Sequence, residues 1–324
     1  KIMEIFHEIK KIKLKSSVIT IGSYDGIHRG HFHIINKVNS ISNQLNTSSV
    51  VITFDPHPRN LIGNPKEKVK LLMSLEKKIE TIKSFSIDYL VILKFDTNLM
   101  NMDAEVFLKK ILIKNLSPKY IVSGKNHTFG HKKSGDISYL KKFCKVNNIA
   151  LEVVKPLKDD EVIISSTNIR NLIKNGFIRR ANYELGSNYG FYAKVISGSG
   201  RGKKLQYPTA NLLPVEKDQL LPKIGVYLTR CIINGLSRYG MCNFGIRPTF
   251  GENDLVLEVH LFDEKLNDFY DDCIWVEFLE RVRDEIKFSS VEELIEQLEK
   301  DKSNCLSLKF KYELGEEDAY NQGR

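Results

Sequence analysis

The sequence predicts two domains of different fold class, a doubly wound α/β domain followed by a small antiparallel β-barrel. In residues 1–184, short β-branched runs alternate with helical patterns, whereas strand-like runs follow one another directly in residues 185–324. A chain of 324 residues has the length of about two domains. The charge is divided as well: residues 1–183 carry 31 Lys and Arg against 16 Asp and Glu, a net charge of +15, and the remainder carries −6.

The composition is that of an ordinary globular protein, with 42% apolar and 27% charged residues. It excludes disordered and collagen-like classes, and no apolar run approaches the roughly 18 residues that a membrane span needs. The five cysteines are widely spaced without a C-x-x-C pair, which argues against a disulfide framework and a zinc knuckle. Residues 1–15 are charged and do not resemble a signal peptide. We therefore expect a cytoplasmic protein.

The first half should form a parallel sheet with helices on both faces, because its predicted strands and helices alternate. The predicted strands are Val18–Ile21, Val50–Phe54, Tyr89–Leu93, Tyr120–Ser123 and Leu151–Val154. The predicted helices lie near His31–Asn46, Leu75–Phe85, Ala104–Lys114, Tyr139–Val146, Ser166–Asn175 and Phe177–Tyr183. Ligands of such sheets bind beyond the carboxyl ends of the strands, so the residues that follow each strand are the candidates for a site.

The first strand ends in a glycine-rich turn that carries two histidines into the next helix. His28 and His31 are three residues apart at a helix N-terminus, where the helix dipole favours anions. Imidazoles in this position can stabilise charge on a phosphate. A polar loop with satisfied histidines is the alternative, but the H-x-G-H pattern directly between a strand and its helix favours phosphate binding. The other nucleotide-binding candidates in this turn are Gly22, Asp25 and Gly30.

Three further segments supply polar residues at the same edge of the predicted sheet. Asp55 follows the second strand, and Asn126 and Phe129 follow the fourth. Each of these loops alone is typical of a turn, but with the histidines they indicate one crevice. The last segment begins a helix and contains Ser165, Ser166, Thr167 and Arg170. Ser166 or Thr167 is predicted as its cap, and the hydroxyls and the guanidinium together favour β- and γ-phosphate binding.

The second half should form an antiparallel barrel closed by one helix. Its predicted strands are Phe191–Ile196, Gly225–Ile233, Ser237–Phe244, Leu255–Leu261 and Ile274–Leu279. The helix is predicted over Val291–Lys300, with Ser289 or Ser290 as its cap. The boundary between the domains is placed after residue 184.

The candidate chemistry of the second half combines a glycine turn, two oxygen-bearing residues and a carboxylate. The glycines Gly198, Gly200 and Gly202 can present backbone N–H groups to phosphate, although hairpins use glycine too. Thr209 and Asn211 are two residues apart on a predicted strand, so their oxygens point the same way and suit Mg²⁺. Glu258 is a candidate base, and an ordinary solvent-facing glutamate is the alternative. Arg283 lies in a polar and aromatic segment that suits a loop over an aromatic ligand.

Taken in order, these motifs resemble the bifunctional bacterial riboflavin kinase/FAD synthetase family. The segments that carry the resemblance are Gly22–His31, Phe54–Pro58, Gly124–Gly130, Ile164–Arg170, Pro208–Asn211, Asn243–Phe250 and Leu257–Asp263. The resemblance implies a Rossmann-like nucleotidyltransferase domain over residues 1–184, which would transfer AMP from ATP to FMN. It implies a riboflavin kinase domain over residues 185–324, which would make FMN from riboflavin and ATP.

The resemblance also implies roles for individual residues. His28, His31 and Arg170 would stabilise the transferring α-phosphate, and Glu258 would be the kinase base. The implied phosphate ligands are Ser165, Ser166 and Thr167, with Thr209 and Asn211 holding Mg²⁺ and ATP. Asp55, Asn126, Phe129 and Arg283 are the implied flavin contacts. The sequence departs from the family pattern at Tyr24, His127, Lys133 and Gln206.

We expect small-molecule substrates (riboflavin, FMN and ATP, with FAD as product), and a monomer or weak homo-oligomer that binds neither nucleic acid nor membrane. Two alternatives remain open from the sequence. One is a riboflavin kinase whose adenylyltransferase half is weak or inactive. The other is a nucleic-acid-binding module, which the basic first half permits but which lacks aromatic residues interleaved with Arg.

Overall fold

A computed structural model describes residues 2–62, 68–196, 207–249, 252–263, 269 and 271–322. The chain divides into two compact units, Lys1–Asn168 and Ile169–Arg324. Helix α8 (Ser166–Lys174) contains the point of division between Asn168 and Ile169. The predicted domain boundary after residue 184 therefore stays a prediction.

The first unit is built on a six-stranded sheet in which every pair of neighbouring strands is parallel. Its strands are β1 (Glu4–Phe6), β2 (Ser17–Ile21), β3 (Ser48–Asp55), β4 (Tyr89–Lys94), β5 (Pro118–Gly124) and β6 (Ala150–Val154). The spatial order is β1-β4-β3-β2-β5-β6. Since β3 and β5 flank β2, the loops that follow these three strands emerge side by side. Five strands match the prediction; the three-residue β1 was too short for its pattern to be recognised.

Helices cover both faces of this sheet, as the alternation in the sequence predicted. They are α1 (Arg29–Gln44), α2 (Arg59–Ile62), α3 (Leu75–Lys83), α4 (Thr97–Met100), α5 (Ala104–Phe107), α6 (Lys114–Leu116) and α7 (Ile137–Val146), and π-helical residues Leu108–Ile113 join α5 to α6. Val18 packs on the face covered by α1 and α3, whereas the adjacent Ile19 packs on the face covered by α7 and the π-helical segment. This alternation gives the doubly wound sheet two separate cores.

The chain then forms the hairpin β7 (Lys158–Asp159) and β8 (Val162–Ile163), helix α8 and helix α9 (Ile178–Leu185). The second unit contains a closed antiparallel barrel, as predicted. Its strands are β9 (Tyr189–Ile196), β10 (Ala210–Pro214), β11 (Gly225–Ile233), β12 (Leu236–Thr249), β13 (Glu252–Leu261) and β14 (Cys273–Arg283), in the closed order β10-β13-β12-β11-β14-β9. Buried aromatic rings from β9, β11 and β14 contact one another.

The terminal helix α10 (Val291–Gln322) is much longer than the predicted Val291–Lys300. Its continuation is stabilised by tertiary packing, since Cys305, Leu308 and Tyr312 contact barrel residues such as Leu228 and Met241. Ser290 serves as a cap, because its hydroxyl accepts a hydrogen bond from the backbone N–H of Glu293 at 3.2 Å. Within the part of the chain that the structure describes, no helix combines the length and apolarity that a membrane crossing requires.

Candidate active sites

The turn after β2 contains residues with positive φ values, and it depends on its glycines. Gly26 has a φ of +83°, and Tyr24 and Ile27 also have positive φ values of 47° and 23°. A Cβ atom on Gly22 would lie 2.9 Å from the Tyr24 ring, so only glycine leaves room for that ring. The Tyr24 hydroxyl lies 2.7 Å from the Thr20 hydroxyl, in a buried hydrogen bond that anchors the turn to β2.

The two histidines that follow this turn stack on each other at the N-terminus of α1. Their ring centroids are 3.7 Å apart and the ring planes differ by 17°. His28 is the N-cap residue, and its Nδ1 accepts a hydrogen bond from the backbone N–H of His31 at 3.3 Å. A Cβ atom on Gly30 would lie 3.1 Å from His28 Cε1, so a glycine there lets the His28 ring fold over the helix end.

Both imidazoles are uncharged at neutral pH. Burial lowers the pKa of His28 to about 4. Burial also lowers the pKa of His31 well below its usual value, and the nearby His28 and Lys78 lower it further. Among the described residues, the buried Nδ1 of His31 has no hydrogen-bond partner. The site therefore holds a ring nitrogen whose hydrogen-bonding capacity is left for a ligand.

The N-terminus of α8 lies next to this turn. Ser166 Oγ donates a hydrogen bond to the Asp25 carbonyl at 2.8 Å, which ties the two segments together across 141 residues of chain. The expected cap was wrong: Ser165 caps the helix, since its hydroxyl accepts from the Asn168 N–H at 3.2 Å. The Ser166 hydroxyl is instead used by the Asp25 carbonyl, a contact 141 residues away that the spacing of hydroxyls in the sequence does not reveal. Thr167 is exposed.

Arg170 lies one turn after Ser166 on the same helix and is 8% exposed. Because α8 spans the division between the two compact units, its predicted catalytic role stays a prediction.

Asp25 is buried and has a partner inside the protein. Its carboxylate accepts a hydrogen bond from the Leu72 N–H at 3.1 Å, just before α3. Lys78 of α3 is also buried, and its Nζ donates to the Ser23 carbonyl of the same turn at 2.8 Å. Sequence reasoning missed Lys78. A signal was present, because a lysine occupies an apolar position of the helix between Leu75 and Ile82.

The predicted flavin contacts lie after β3 and β5. Asp55 is exposed at the end of β3, and Asn126 is exposed in the turn after β5. Phe129 is half-buried and packs against Phe107 and Tyr139, with ring centroids 6.0 and 6.3 Å away. His127 stacks on Phe129 at 5.7 Å, and burial lowers the pKa of His127 to about 4.

In the barrel, strand register brings the predicted kinase residues together. Asn211 of β10 pairs directly with Glu258 of β13, and Glu258 pairs on its other side with Asn243 of β12. Residues directly opposite each other in antiparallel strands place their side chains on the same face. Asn211, Glu258 and Asn243 therefore form one polar row on one face of the barrel. Asn211 is 7% exposed, so this amide lies in a largely enclosed position.

The segment before β10 is held by a histidine that sequence reasoning did not single out for this role. His260 Nδ1 lies 3.0 Å from the Pro208 carbonyl, which can only accept, so Nδ1 carries the hydrogen. The His260 ring also contacts the Tyr207 ring edge-on at 5.2 Å. Thr209 lies one residue before β10 rather than on it, because Pro208 has no N–H to donate to a ladder.

Arg283 is held by the terminal helix. Its Nε and Nη2 donate to the Asp301 carboxylate at 2.9 and 2.7 Å, and Asp301 is fully buried. A bidentate pair of this kind fixes β14 to α10. The predicted contact of Arg283 with flavin stays a prediction. The glycines Gly198, Gly200 and Gly202, with Gln206, lie outside the described residues.

Comparison with known proteins assigns both halves of the chain. The family model described as FAD synthetase matches residues 10–168, and the model described as riboflavin kinase matches residues 185–308. A protein from Buchnera aphidicola subsp. Schizaphis graminum, named bifunctional riboflavin kinase/FMN adenylyltransferase, is 34% identical over 309 residues, which are 93% of this chain and 96% of that protein. The chain belongs to this family.

A second relative carries the same name, and a solved structure has a similar fold. The bifunctional riboflavin kinase/FMN adenylyltransferase of Bacillus subtilis is 32% identical over 93% of this chain and 95% of its own length. A crystal structure from Streptococcus pneumoniae, described as a macrolide-efflux protein, matches with a TM-score of 0.84 and 29% identity over 94% of this chain and 98% of that chain. The resemblance and the fold class predicted from the sequence are confirmed, and the chain carries both a FAD synthetase and a riboflavin kinase domain.

Proposed function

We propose that the two reactions of this bifunctional enzyme occur at two separate sites, each within one of the two predicted domains. Adenylyl transfer to FMN would occur at the carboxyl edge of the parallel sheet, and riboflavin phosphorylation on the face of the barrel that carries the polar row. The assignment rests on one observation in each unit. His28 and His31 stack on each other in the first unit, and Asn211 pairs with Glu258 in the second.

In the sheet, the N-terminus of α1 would bind the α-phosphate of ATP. His28 and His31 donate hydrogen bonds to it, and Arg170 adds positive charge. An oxygen of the FMN phosphate attacks the α-phosphorus, the bond from that phosphorus to the bridging oxygen breaks, and pyrophosphate leaves. This direct transfer needs no covalent enzyme intermediate, so positioning and electrostatics supply the catalysis.

The remaining predicted residues of the sheet site would hold the two substrates. Glycines at 22 and 30 let phosphate approach the backbone, and Asp25 keeps the turn in place through its hydrogen bond with the Leu72 N–H. The hydroxyls of Ser165 and Thr167 would donate to the β- and γ-phosphates, and Ser166 would hold the helix N-terminus beside them through its hydrogen bond to the Asp25 carbonyl. Asp55, Asn126 and Phe129 would contact the flavin.

In the barrel, Glu258 would accept the proton of the riboflavin 5′-hydroxyl. The resulting oxygen attacks the γ-phosphorus of a second ATP, the bond to the β-γ bridging oxygen breaks, and ADP leaves. His260 positions the Tyr207–Thr209 segment by its hydrogen bond to the Pro208 carbonyl. Arg283 would approach the flavin from β14, and the glycines at 198, 200 and 202 would bind phosphate.

The barrel residues also suit a divalent cation. Thr209 and Asn211 offer a hydroxyl and an amide oxygen, the hard ligands that Mg²⁺ prefers, and Glu258 supplies a carboxylate directly opposite Asn211. Thr209 and Asn211 would hold Mg²⁺ together with the ATP phosphates, and Glu258 would act as the base. When bound, the ion neutralises charge on the phosphates during transfer.

Reciprocal variants of the full chain test the assignment. We expect His31→Ala to reduce FAD formation from FMN by about 100-fold or more, the size of losing a group that stabilises transition-state charge. FMN formation from riboflavin should stay within twofold of wild type. Glu258→Gln should give the opposite pattern, with about a 100-fold loss of FMN formation, the range for a general base.

Two matched controls separate loss of function from loss of fold. His33→Ala changes an exposed histidine on α1, and Glu296→Gln changes an exposed carboxylate on α10. Both should keep both activities. Equal loss of FMN and FAD formation in either His31→Ala or Glu258→Gln would contradict separate sites.

A further inference from the structure

Lys78 is a buried lysine that none of the predicted roles uses. It lies on α3 among apolar residues and is 6% exposed, whereas its neighbour Lys77 lies beside Glu80 at 3.1 Å on the outer side of the same helix. Lysine is almost never buried to this extent unless it has partners, because desolvating an ammonium group is costly. The contacts of Lys78 therefore indicate what it does.

These contacts join three segments of the first unit. Lys78 Nζ donates to the Ser23 carbonyl at 2.8 Å and lies 3.5 Å from the Thr53 hydroxyl. That hydroxyl itself donates to the Ser23 carbonyl at 3.2 Å. One ammonium group thus connects α3, the end of β3 and the turn that leads to the histidines.

The same ammonium is surrounded by charged groups of the predicted site. Burial lowers the pKa of Lys78, and the carboxylates of Asp25 and Asp55 oppose this and favour the charged form. The groups that face His31 are the His28 ring, the Lys78 ammonium and the edge of the Tyr24 ring at 5.1 Å. Burial raises the pKa of Tyr24, so this phenol brings no charge. Lys78 is therefore the lysine whose charge acts on His31.

We propose that Lys78 is a positioning residue for adenylyl transfer, which fixes the turn through its hydrogen bond to the Ser23 carbonyl and places a cation near His31. This inference rests on the proposed role of His31. A lysine that only filled the core could be replaced by any side chain of similar size that makes the same hydrogen bond. A lysine that acts through its charge could not.

Glutamine and arginine variants of the full-length enzyme separate these two roles. Lys78→Gln can still donate a hydrogen bond to the Ser23 carbonyl but carries no charge, whereas Lys78→Arg keeps the charge. We expect Lys78→Gln to lower kcat for FAD formation about tenfold and to raise the pKa of His31, since removing a nearby cation favours the imidazolium form. Lys78→Arg should stay within about threefold of wild type.

The readouts are steady-state kinetics and the pH titration of the His31 ring by NMR, with its signal assigned by its loss in His31→Ala. FMN formation in the same preparation should be unchanged in every variant, which checks concentration and the fold of the barrel. Lys77→Gln is the matched control and should leave both rates and the His31 titration unchanged.

The proposal would be overturned if Lys78→Gln forms FAD at the wild-type rate and its His31 titration is unshifted. If Lys78→Gln fails to fold, Lys78→Met replaces it for the His31 titration only, since methionine cannot donate to the Ser23 carbonyl. An ordinary His31 titration near pH 6.5 in the wild type would also overturn the proposal. If His31→Ala keeps full FAD formation, the proposed role of His31 fails instead, which distinguishes the two hypotheses.

Discussion

The two candidate sites are constructed by different means. In the first unit, the site residues belong to loops that follow parallel strands, and hydrogen bonds between distant segments hold those loops in place. Ser166 to Asp25 and Lys78 to Ser23 are examples. In the barrel, Asn211 and Glu258 face each other because their strands are paired in register. Backbone conformation therefore determines the first site, and side-chain identity on a regular sheet determines the second.

The two units also differ in the ionisable groups that they bury. Burial keeps three histidines of the first unit uncharged at neutral pH: His28, His31 and His127. The barrel unit also buries a histidine, His260, whose pKa burial lowers, and the pKa of its exposed Asp284 falls to about 2 because Arg281 and Lys223 donate hydrogen bonds to it. Because the described residues include three such histidines in the first unit and one in the barrel unit, acid should destabilise the first unit more.

The largest expected effect is an acid-induced loss of stability in the first unit. A histidine that is buried uncharged binds its proton more weakly in the folded state than in the unfolded state, where its pKa is near 6.5. Below pH 6.5 the unfolded state binds more protons, so the free energy of unfolding falls with pH. Each histidine contributes at most about 1.4 kcal/mol per pH unit between pH 6.5 and its folded pKa. Protonation of Asp284 lowers stability only below its ordinary pKa of 3.8, toward pH 2.

Urea unfolding at pH 7.5, 6.5 and 5.5 measures this difference. The single tryptophan of the chain, Trp275, lies on β14 and reports on the barrel, and hydrogen exchange of the strands β2 to β5 reports on the sheet. The sheet should lose protection well above pH 5 while the Trp275 transition changes less. His127→Phe should reduce the pH dependence, and the exposed His33→Ala should not. Parallel acid dependence of both probes would contradict the comparison.

The next effect tests side-chain identity in the barrel. Asn211→Ala should lower FMN formation about 100-fold, a loss of about 2.7 kcal/mol in transition-state stabilisation, because it removes an enclosed oxygen opposite Glu258. FAD formation from supplied FMN should not change. Leu213→Ala, an exposed position two residues along β10, is the matched control. The measurement is the initial rate of each step with riboflavin or FMN as substrate.

The sequence predicted the barrel strands, the parallel sheet and the histidine turn because their patterns are local. Alternation, helical periodicity and glycine spacing are visible within ten residues. The local pattern places Lys78 at an apolar helix position, but its role depends on a contact with Ser23, 55 residues away, which no local pattern reports. The end of α10 was missed for a related reason. Residues after Lys300 remain helical through packing of Cys305 and Tyr312 on the barrel.

The cap of α8 shows the same limit on a smaller scale. Three consecutive hydroxyls, Ser165, Ser166 and Thr167, are each good caps by residue type. Only the structure distinguishes them, because the Ser166 hydroxyl is already used by the Asp25 carbonyl. Residue type can therefore predict that a helix begins here but not which hydroxyl remains for a phosphate.

A smaller effect tests the backbone dependence of the first site. In Gly30→Ala the new Cβ atom would lie 3.1 Å from His28 Cε1, so the His28 ring must move by a few tenths of an ångström. The stacked arrangement with His31 would be disturbed, and we expect about a tenfold loss in kcat for FAD formation, because misplaced groups lose transition-state stabilisation. FMN formation should be unaffected. An unchanged FAD rate would show that the stacked geometry is not needed.

The smallest effect concerns Tyr24, where the sequence departs from the family pattern by a hydroxyl. That hydroxyl is buried and pairs with Thr20, so Tyr24→Phe leaves the Thr20 hydroxyl without its partner. We expect the first unit to lose about 1 kcal/mol of unfolding free energy, with little change in FAD formation because the ring beside His31 is retained. Adding Thr20→Val should recover most of that loss, since replacing both buried partners by apolar groups is nearly neutral. If the double variant is as unstable as the sum of the single variants, the hydroxyl pair does not anchor the turn.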